Sequence, residues 1–319
     1  MRKFTALMML LCLLFLSGCA PASEAPTVPE EAFPPAATDE PAEAPAEATE
    51  AATEEPTEPP TEAPTEPPRL SDSTRPDYDL GSCRSLEGSP WVVMIFLDDD
   101  ESAWEAEAAR LHAETQILPG LAFLEEKAAL WERELAFQTR VFVADPAAGE
   151  TLRYPGTVEA DIMTNPPTGD LLTQAALALG YDSPEQMDAA LREETGGEIV
   201  YLLLLNKDGR SYSMDDSEND GTDMLEYCVL FTHFTDYTYV TGPSTVAHEV
   251  LHLFGAEDYY DPYGTHPQRA VLAESLYPND IMLRVYLDIS YNTLEAFTAY
   301  TVGWSHTLPE ECRQTGWWG

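Results

Sequence analysis

Residues 248–258 read HEVLHLFGAED, and we interpret the chain outward from this stretch. On a helix, His248 and His252 lie four positions apart, so both imidazoles project from one face and can share a metal ion. Glu249 directly follows the first histidine and can deprotonate a water that the metal coordinates. The remaining residues of this helix are mostly apolar, which predicts burial beneath a cleft. The alternative is a buried helix whose histidines only hydrogen-bond within the core.

The third metal ligand has four candidates in the sequence. Gly255 can end the helix in the left-handed conformation, so that the chain turns and brings Asp258 back towards the metal. Glu257 is adjacent and could compete, and His266 lies in the loop beyond. Glu274 stands 22 residues after the second histidine, a spacing at which a glutamate from the next helix completes some zinc sites. The early end of the helix favours Asp258, and Zn²⁺ is the expected ion.

The amino terminus has the layout of an export signal. Two basic residues precede an apolar run from Leu7 to Leu16, which is too short to span a membrane stably. Residues 16–19 read LSGC and resemble the lipobox of bacterial lipoproteins. That resemblance implies a signal peptide over residues 1–18 and a lipid on Cys19, which would attach the exported protein to the outer face of the cytoplasmic membrane. An ordinary secretory signal cleaved nearby is the alternative.

Residues 19–76 are predicted to be a disordered linker. Ala, Pro, Glu and Thr dominate this segment, and residues 20–68 contain thirteen acidic side chains and no basic one. Such a sequence has too little apolar surface to offset the entropy of ordering, and its like charges extend it. Residues 77–319 are long enough for one folded catalytic domain.

The charge of the chain restricts its partners. The formal net charge is −41 at pH 7. A protein this acidic repels nucleic acid and anionic lipid, so we expect no nucleic-acid partner and membrane contact through the lipid anchor only. We expect a monomer.

The order of predicted elements indicates an α/β fold, with α+β as the alternative. Residues 91–97 and 199–205 are uninterrupted apolar runs, which is typical of strands buried on both faces of a mostly parallel sheet. A helical pattern covers residues 101–137 and is interrupted at Pro119 and Gly120. A smaller carboxy-terminal part follows the zinc helix. The remaining predicted elements are strands over 141–143 and 227–234 and helices over 171–179, 184–194 and 291–302.

The stretch from His248 to Asp258 resembles the zinc-binding pattern of the metzincin metallopeptidases, in the variant with Asp as the third ligand. It is similar to the snapalysin-type and immune-inhibitor-type bacterial members. Residues 278–282, PNDIM, resemble the Met-turn, which places a methionine beneath the metal in that clan. The resemblance implies the following roles: His248, His252 and Asp258 bind zinc, Glu249 is the general base, and Met282 is the structural floor.

A tyrosine completes the site in several of these families, where it follows the Met-turn and stabilises the oxyanion. Tyr286 stands four residues beyond the methionine and is the first candidate for this role. Tyr259, Tyr260 and Tyr263 are the alternatives.

These observations predict a zinc-dependent endopeptidase anchored at the bacterial cell surface. It would hydrolyse peptide or protein substrates through a zinc-coordinated water, whose pKa the metal lowers towards about 7. Glu249 would serve as general base. The segment 227–234 would form the edge of the cleft and pair with an extended substrate. The alternatives are a surface-binding lipoprotein that keeps the fold without catalysis, and a cell-wall peptide amidase.

Three cysteines remain after the signal and the anchor are set aside. Cys83 and Cys312 lie near opposite ends of the folded region, and in an exported protein they could pair. Cys228 is then left over. Cys83 could instead bind the zinc and keep the enzyme latent, although a plain disulfide or a buried thiol is the preferred interpretation. Pairing, latency and shedding from the surface stay open at this point.

Overall fold

The computed structural model describes residues 82–84, 86–145, 150–160, 171–215, 225–234, 240–260 and 267–314. The predicted signal peptide, the lipid-anchor Cys19 and the predicted linker lie outside these residues. The described residues form a mixed, mostly parallel sheet with helices packed on both faces. The predicted α/β class is therefore confirmed.

The sheet has five strands in the order β2-β1-β3-β5-β4. All neighbouring strands are parallel except β4, which pairs antiparallel with β5 at one edge. The central strands carry apolar side chains on both faces because helices cover both faces. The strands are β1 (Trp91–Phe96), β2 (Gln138–Val143), β3 (Ile199–Asp208), β4 (Tyr212–Met214) and β5 (Tyr227–His233).

The helices pack on the two faces of this sheet and form two buried clusters. Strand β3 shows the division, because Val200 and Leu202 face one cluster whereas Tyr201 and Leu203 face the other. The first cluster includes the helix that carries the two histidines. The helices are α1 (Ala106–His112), α2 (Leu118–Leu130), α3 (Leu171–Ala178), α4 (Pro184–Thr195), α5 (Pro243–His252), α6 (Pro267–Leu276), α7 (Ala296–Thr301) and α8 (Glu310–Gln314).

The irregularity in the first long helix lies elsewhere than predicted. The helix continues through Pro119 and Gly120, and its regular geometry is broken earlier, by a π-helical turn at Ala113–Ile117 that joins α1 to α2. The glycine has a packing role. A Cβ at Gly120 would lie 2.6 Å from the backbone oxygen of Pro243 and 3.0 Å from Cβ of Val246. Glycine at this position lets α5 lie directly against α2.

The segment 227–234 forms a strand as predicted, but its predicted position at an edge is wrong. Strand β5 lies inside the sheet, between β3 and β4. The edge is formed by β4, which pairs with β5 in the register Ser213 opposite Cys228. Only three residues of β4 are paired, and a polar run follows them, so this segment has the sequence pattern of a loop.

None of the described cysteines forms a disulfide, so the predicted pair of Cys83 with Cys312 is wrong. All three thiols are buried. The Cys83 thiol donates a hydrogen bond to the backbone oxygen of Ile199 at 3.3 Å, and burial raises its pKa. A protonated thiol bound to the sheet is not a zinc ligand. Cys312 contacts the hydroxyl of Tyr277 instead, at 3.7 Å.

Among the described residues, no helix combines the length and the apolar character needed to cross a bilayer.

Candidate metal centre

Helix α5 carries both histidines, and a proline at its start and a glycine after its end fix its length. It begins at Pro243, which has no amide hydrogen to leave unsatisfied at a helix start. The helix buries Val250 and Leu251 in the core. It ends at His252, and Gly255 then takes a φ of 89°. Glycine adopts this left-handed conformation at little cost, and the chain reverses there.

The reversal brings three side chains from α5 and the following loop to one point. The Nε2 atoms of His248 and His252 are 3.2 Å apart. Oδ1 of Asp258 is 3.2 Å from each of them. Zinc with ligand bonds of about 2.0–2.1 Å in tetrahedral geometry requires separations of about 3.3 Å between ligand atoms. The triangle therefore has the dimensions of a zinc site.

Backbone carbonyls orient the two imidazole rings. Nδ1 of His248 lies 3.0 Å from the oxygen of Ile281, and Nδ1 of His252 lies 2.7 Å from the oxygen of Ala256. A carbonyl can only accept, so each Nδ1 carries a hydrogen, and in the neutral form of each ring Nε2 presents a lone pair. Such outer partners orient metal-binding histidines in many proteins.

The centre of the triangle requires a positive charge. Oδ1 of Asp258 is buried, and the two imidazole Nε2 atoms lie 3.2 Å from it. Burial alone would lower the pKa of His252, but the neighbouring Asp258 carboxylate raises it to about 10. Burial opposes ionisation of Asp258 as well, but the two imidazoles hold its pKa well below the usual range. A proton or a metal cation can supply the charge, and the two compete for the same nitrogen.

Glu249 lies beside this triangle and is held by the edge strand. Its side chain is buried. The hydroxyl of Ser213 in β4 lies 2.8 Å from Oε2 of Glu249 and 2.8 Å from its backbone oxygen. The sequence did not predict this contact, because Ser213 opens a polar segment that resembles a loop and lies 36 residues away.

A buried turn lies next to the ligands, at the position of the predicted Met-turn. Met282 is completely buried in it. The preceding Ile281 provides the carbonyl that orients His248, and the oxygen of Met282 accepts the backbone amide of Tyr259 at 2.9 Å. The turn thus contacts both segments that carry ligands.

The alternative third ligands are engaged elsewhere or not described. Glu257 pairs with Arg269 at 3.2 Å. Glu274 is exposed and pairs with Arg284 at 2.6 Å. His266 lies outside the described residues. Among the residues that the structure describes, one group of three brings its ligand atoms together in this way: His248, His252 and Asp258.

The tyrosine nearest the ligands differs from the first candidate. The Tyr286 hydroxyl donates to Oδ1 of Asn279 at 3.0 Å. The Tyr260 ring is stacked on His248, with centroids 6.3 Å apart and planes at 21°. Its hydroxyl hydrogen-bonds to Asp258, and burial together with that carboxylate raises its pKa, so it stays a neutral donor.

The two remaining alternative tyrosines do not take this position in the described structure. The hydroxyl of Tyr259 is buried against Thr298, with an oxygen-to-oxygen distance of 2.6 Å. Tyr263 lies outside the described residues.

The chain matches no protein-family model and no curated protein sequence. The resemblance to metzincins therefore stays a prediction from the sequence motif.

Proposed function

We propose that this protein is a zinc-dependent endopeptidase, exported and held at the bacterial cell surface by a lipid on Cys19. The observation that carries the proposal is the triangle of three acceptor atoms, each 3.2 Å from the others. Glu249 directly follows His248 and adds a carboxylate beside this triangle. Three acceptor atoms this close together repel one another unless a proton or a metal cation lies between them. A carboxylate beside a metal that has three protein ligands is the arrangement of zinc hydrolases.

Each role follows from what the side chains can do. His248, His252 and Asp258 would hold zinc, which would polarise the scissile carbonyl and make a bound water more acidic. Glu249 removes a proton from the attacking water and delivers it to the leaving amine. The Tyr260 hydroxyl has one hydrogen, which would turn from Asp258 to the oxyanion as that charge develops.

The substrate would bind along β4. This strand is at the edge of the sheet, and its Ser213 contacts the general base. An extended peptide can add to such an edge through backbone hydrogen bonds. Methylating the backbone nitrogens of a good substrate one at a time should raise KM at alternate positions. Equal effects at every position would contradict binding as an added strand.

The test compares residues 20–319 with the Glu249→Ala variant. We expect about one zinc per chain in both, hydrolysis of casein by the wild type, and a loss of about 10²–10⁴-fold in the variant, as for other general bases. Tyr260→Phe should lower kcat and leave zinc stoichiometry unchanged.

Three other results would contradict the proposal. Zinc binding without hydrolysis of a broad peptide library would indicate a binding lipoprotein. Hydrolysis of muropeptides alone would indicate a cell-wall amidase. A wild type that binds no zinc would exclude the metal centre itself.

The anchor has its own test. In a bacterial host with lipoprotein processing, the full-length protein should fractionate with membranes, and Cys19→Ser should release it to the exterior. Equal release of both forms would contradict lipidation at Cys19.

A further inference from the structure

Asp280 is a completely buried carboxylate that lies outside the ligand set. Its Oδ1 accepts the amide of Met282 at 2.8 Å, and its Oδ2 accepts the amide of Glu295 at 2.7 Å. The hydroxyl of Thr298 lies 3.0 Å and 2.9 Å from the two oxygens. A carboxylate is costly to bury without such donors, so the three residues that hold it form one connected network.

The network extends to the segment that carries a metal ligand. Thr298 has a single hydroxyl hydrogen, and the ionised Asp280 can only accept it. The Tyr259 hydroxyl, 2.6 Å from the hydroxyl oxygen of Thr298, must therefore be the donor in that contact. Tyr259 directly follows Asp258, so the network ends one residue from a ligand.

The opposite side of the same turn holds the other ligand-bearing segment. Ile281, the residue after Asp280, accepts the ring hydrogen of His248 at 3.0 Å. Met282 accepts the amide of Tyr259 at 2.9 Å. The turn thus bonds to both segments, and the Asp280 carboxylate attaches that turn to α7.

We propose that Asp280 is a positioning residue for the metal centre, acting on His248 through the Ile281 carbonyl and on Asp258 through Tyr259. It contacts neither the metal nor the substrate. The inference rests on the proposed zinc site. Loss of an outer partner of a metal-binding histidine weakens metal binding by about 10–100-fold, and we expect an effect in this range.

A purely structural role is the competing explanation, because the same carboxylate attaches α7 to the core. That role would lower thermal stability without changing the affinity of the folded protein for zinc. Zinc affinity measured well below the unfolding temperature separates the two explanations, and it needs no catalytic assay.

The experiment uses residues 20–319 and measures the zinc Kd by competition with a chromophoric chelator. Asp280→Asn keeps the size of the side chain and removes its charge, and should weaken zinc binding about 10–100-fold. Thr298→Val keeps the shape and removes the hydroxyl, and should also weaken zinc binding. Thr298→Ser restores the hydroxyl and should restore the Kd. Asp288→Asn is the matched control, since this exposed aspartate caps the turn at Ile289–Tyr291 and should bind zinc as the wild type does.

Cobalt provides a second measurement. The visible absorption bands of the Co²⁺-substituted protein report ligand geometry, so they should shift in Asp280→Asn and Thr298→Val and stay unchanged in Asp288→Asn. If Asp280→Asn fails to fold, the Thr298 pair decides the question.

An unchanged zinc Kd and cobalt spectrum in folded Asp280→Asn or Thr298→Val would overturn the inference and leave the proposed function intact. A wild type that binds no zinc would overturn both. A wild type that binds zinc but hydrolyses no peptide would overturn the peptidase proposal and leave the role of Asp280 to be decided by the Kd values.

Discussion

Ser213 has one hydroxyl hydrogen and faces two oxygens of Glu249, one on the side chain and one on the backbone. The contact joins the edge strand to the helix that carries the histidines. Among the described residues, Ser213 alone hydrogen-bonds to the Glu249 carboxylate. In the proposed reaction Glu249 is the general base and must point at the water, so a single hydrogen bond that selects its rotamer can affect the rate without touching the substrate.

We predict that Ser213→Ala lowers kcat about 10-fold and leaves KM and zinc stoichiometry near the wild-type values, because a misplaced catalytic group costs rate rather than binding. Ser213→Thr keeps the hydroxyl and should recover most of the lost rate. Steady-state kinetics per bound zinc measure both. The two substitutions Ser213→Ala and Glu249→Ala should be non-additive, since they affect one group. A loss of kcat/KM in Ser213→Ala that comes from KM would show that the serine contacts substrate instead.

At the scale of elements, the contact between α2 and α5 determines where the helix with the proposed metal ligands lies. The two helices approach so closely at Gly120 that a methyl group there would lie 2.6 Å from a backbone oxygen of α5. A backbone oxygen at the start of a helix cannot move alone, so relief requires displacement of α5 itself. The same helix carries His248 and His252, and displacement therefore affects the metal site.

We predict that Gly120→Ala lowers the free energy of unfolding by about 1–3 kcal/mol, the usual range for overpacking, despite the better helix propensity of alanine. It should also weaken zinc binding. Gly197→Ala is the control, because the added methyl would meet its nearest atom at 3.6 Å and should change stability by less than about 0.5 kcal/mol. Chemical denaturation and chelator competition measure the two effects. Equal stability of the two variants would contradict the close approach of the helices.

At the scale of the whole molecule, the buried Asp280 and the partly buried His112 make stability depend on pH in opposite directions. Burial raises the pKa of Asp280 to about 6, partly offset by its hydrogen bonds. Burial and then the charge of His233 lower the pKa of His112 to about 4. Asp280 binds a proton more tightly in the folded state than in the unfolded state, so its contribution to stability is lost as pH rises from about 4 to about 6. His112 binds its proton less tightly in the folded state than in the unfolded state. Its contribution to stability therefore rises as pH increases above about 4.

Asp280→Asn isolates the first of these contributions. Between pH 4 and pH 6.5, the free energy of unfolding of the wild type should fall relative to that of the variant, by up to about 3 kcal/mol. Urea denaturation of both proteins in the presence of a chelator measures the difference, since the remaining groups are common to both. A wild type that instead gains stability relative to the variant over this range would show that the hydrogen bonds to Asp280 outweigh its burial.

Local patterns predicted much of this protein. The i, i+4 spacing of His248 and His252 needs only helical periodicity, and the structure places both rings on one side of α5. The apolar runs of β1 and β3 predicted buried parallel strands, because such runs are stable only when both faces of a sheet are covered. The helix α4 begins as predicted, with Ser183 accepting the amide of Gln186.

Tertiary structure decided which polar side chains meet. Asp258 and Glu257 are adjacent and equally acidic, and only the direction of the chain after Gly255 sends one to the histidines and the other to Arg269. Ser213 reaches Glu249 because a polar segment pairs as an edge strand. Asp280 reaches Thr298 because its turn packs against α7, 18 residues further along the chain. Periodicity acts within an element, whereas hydrogen bonds between elements depend on packing of the whole core, which no local pattern encodes.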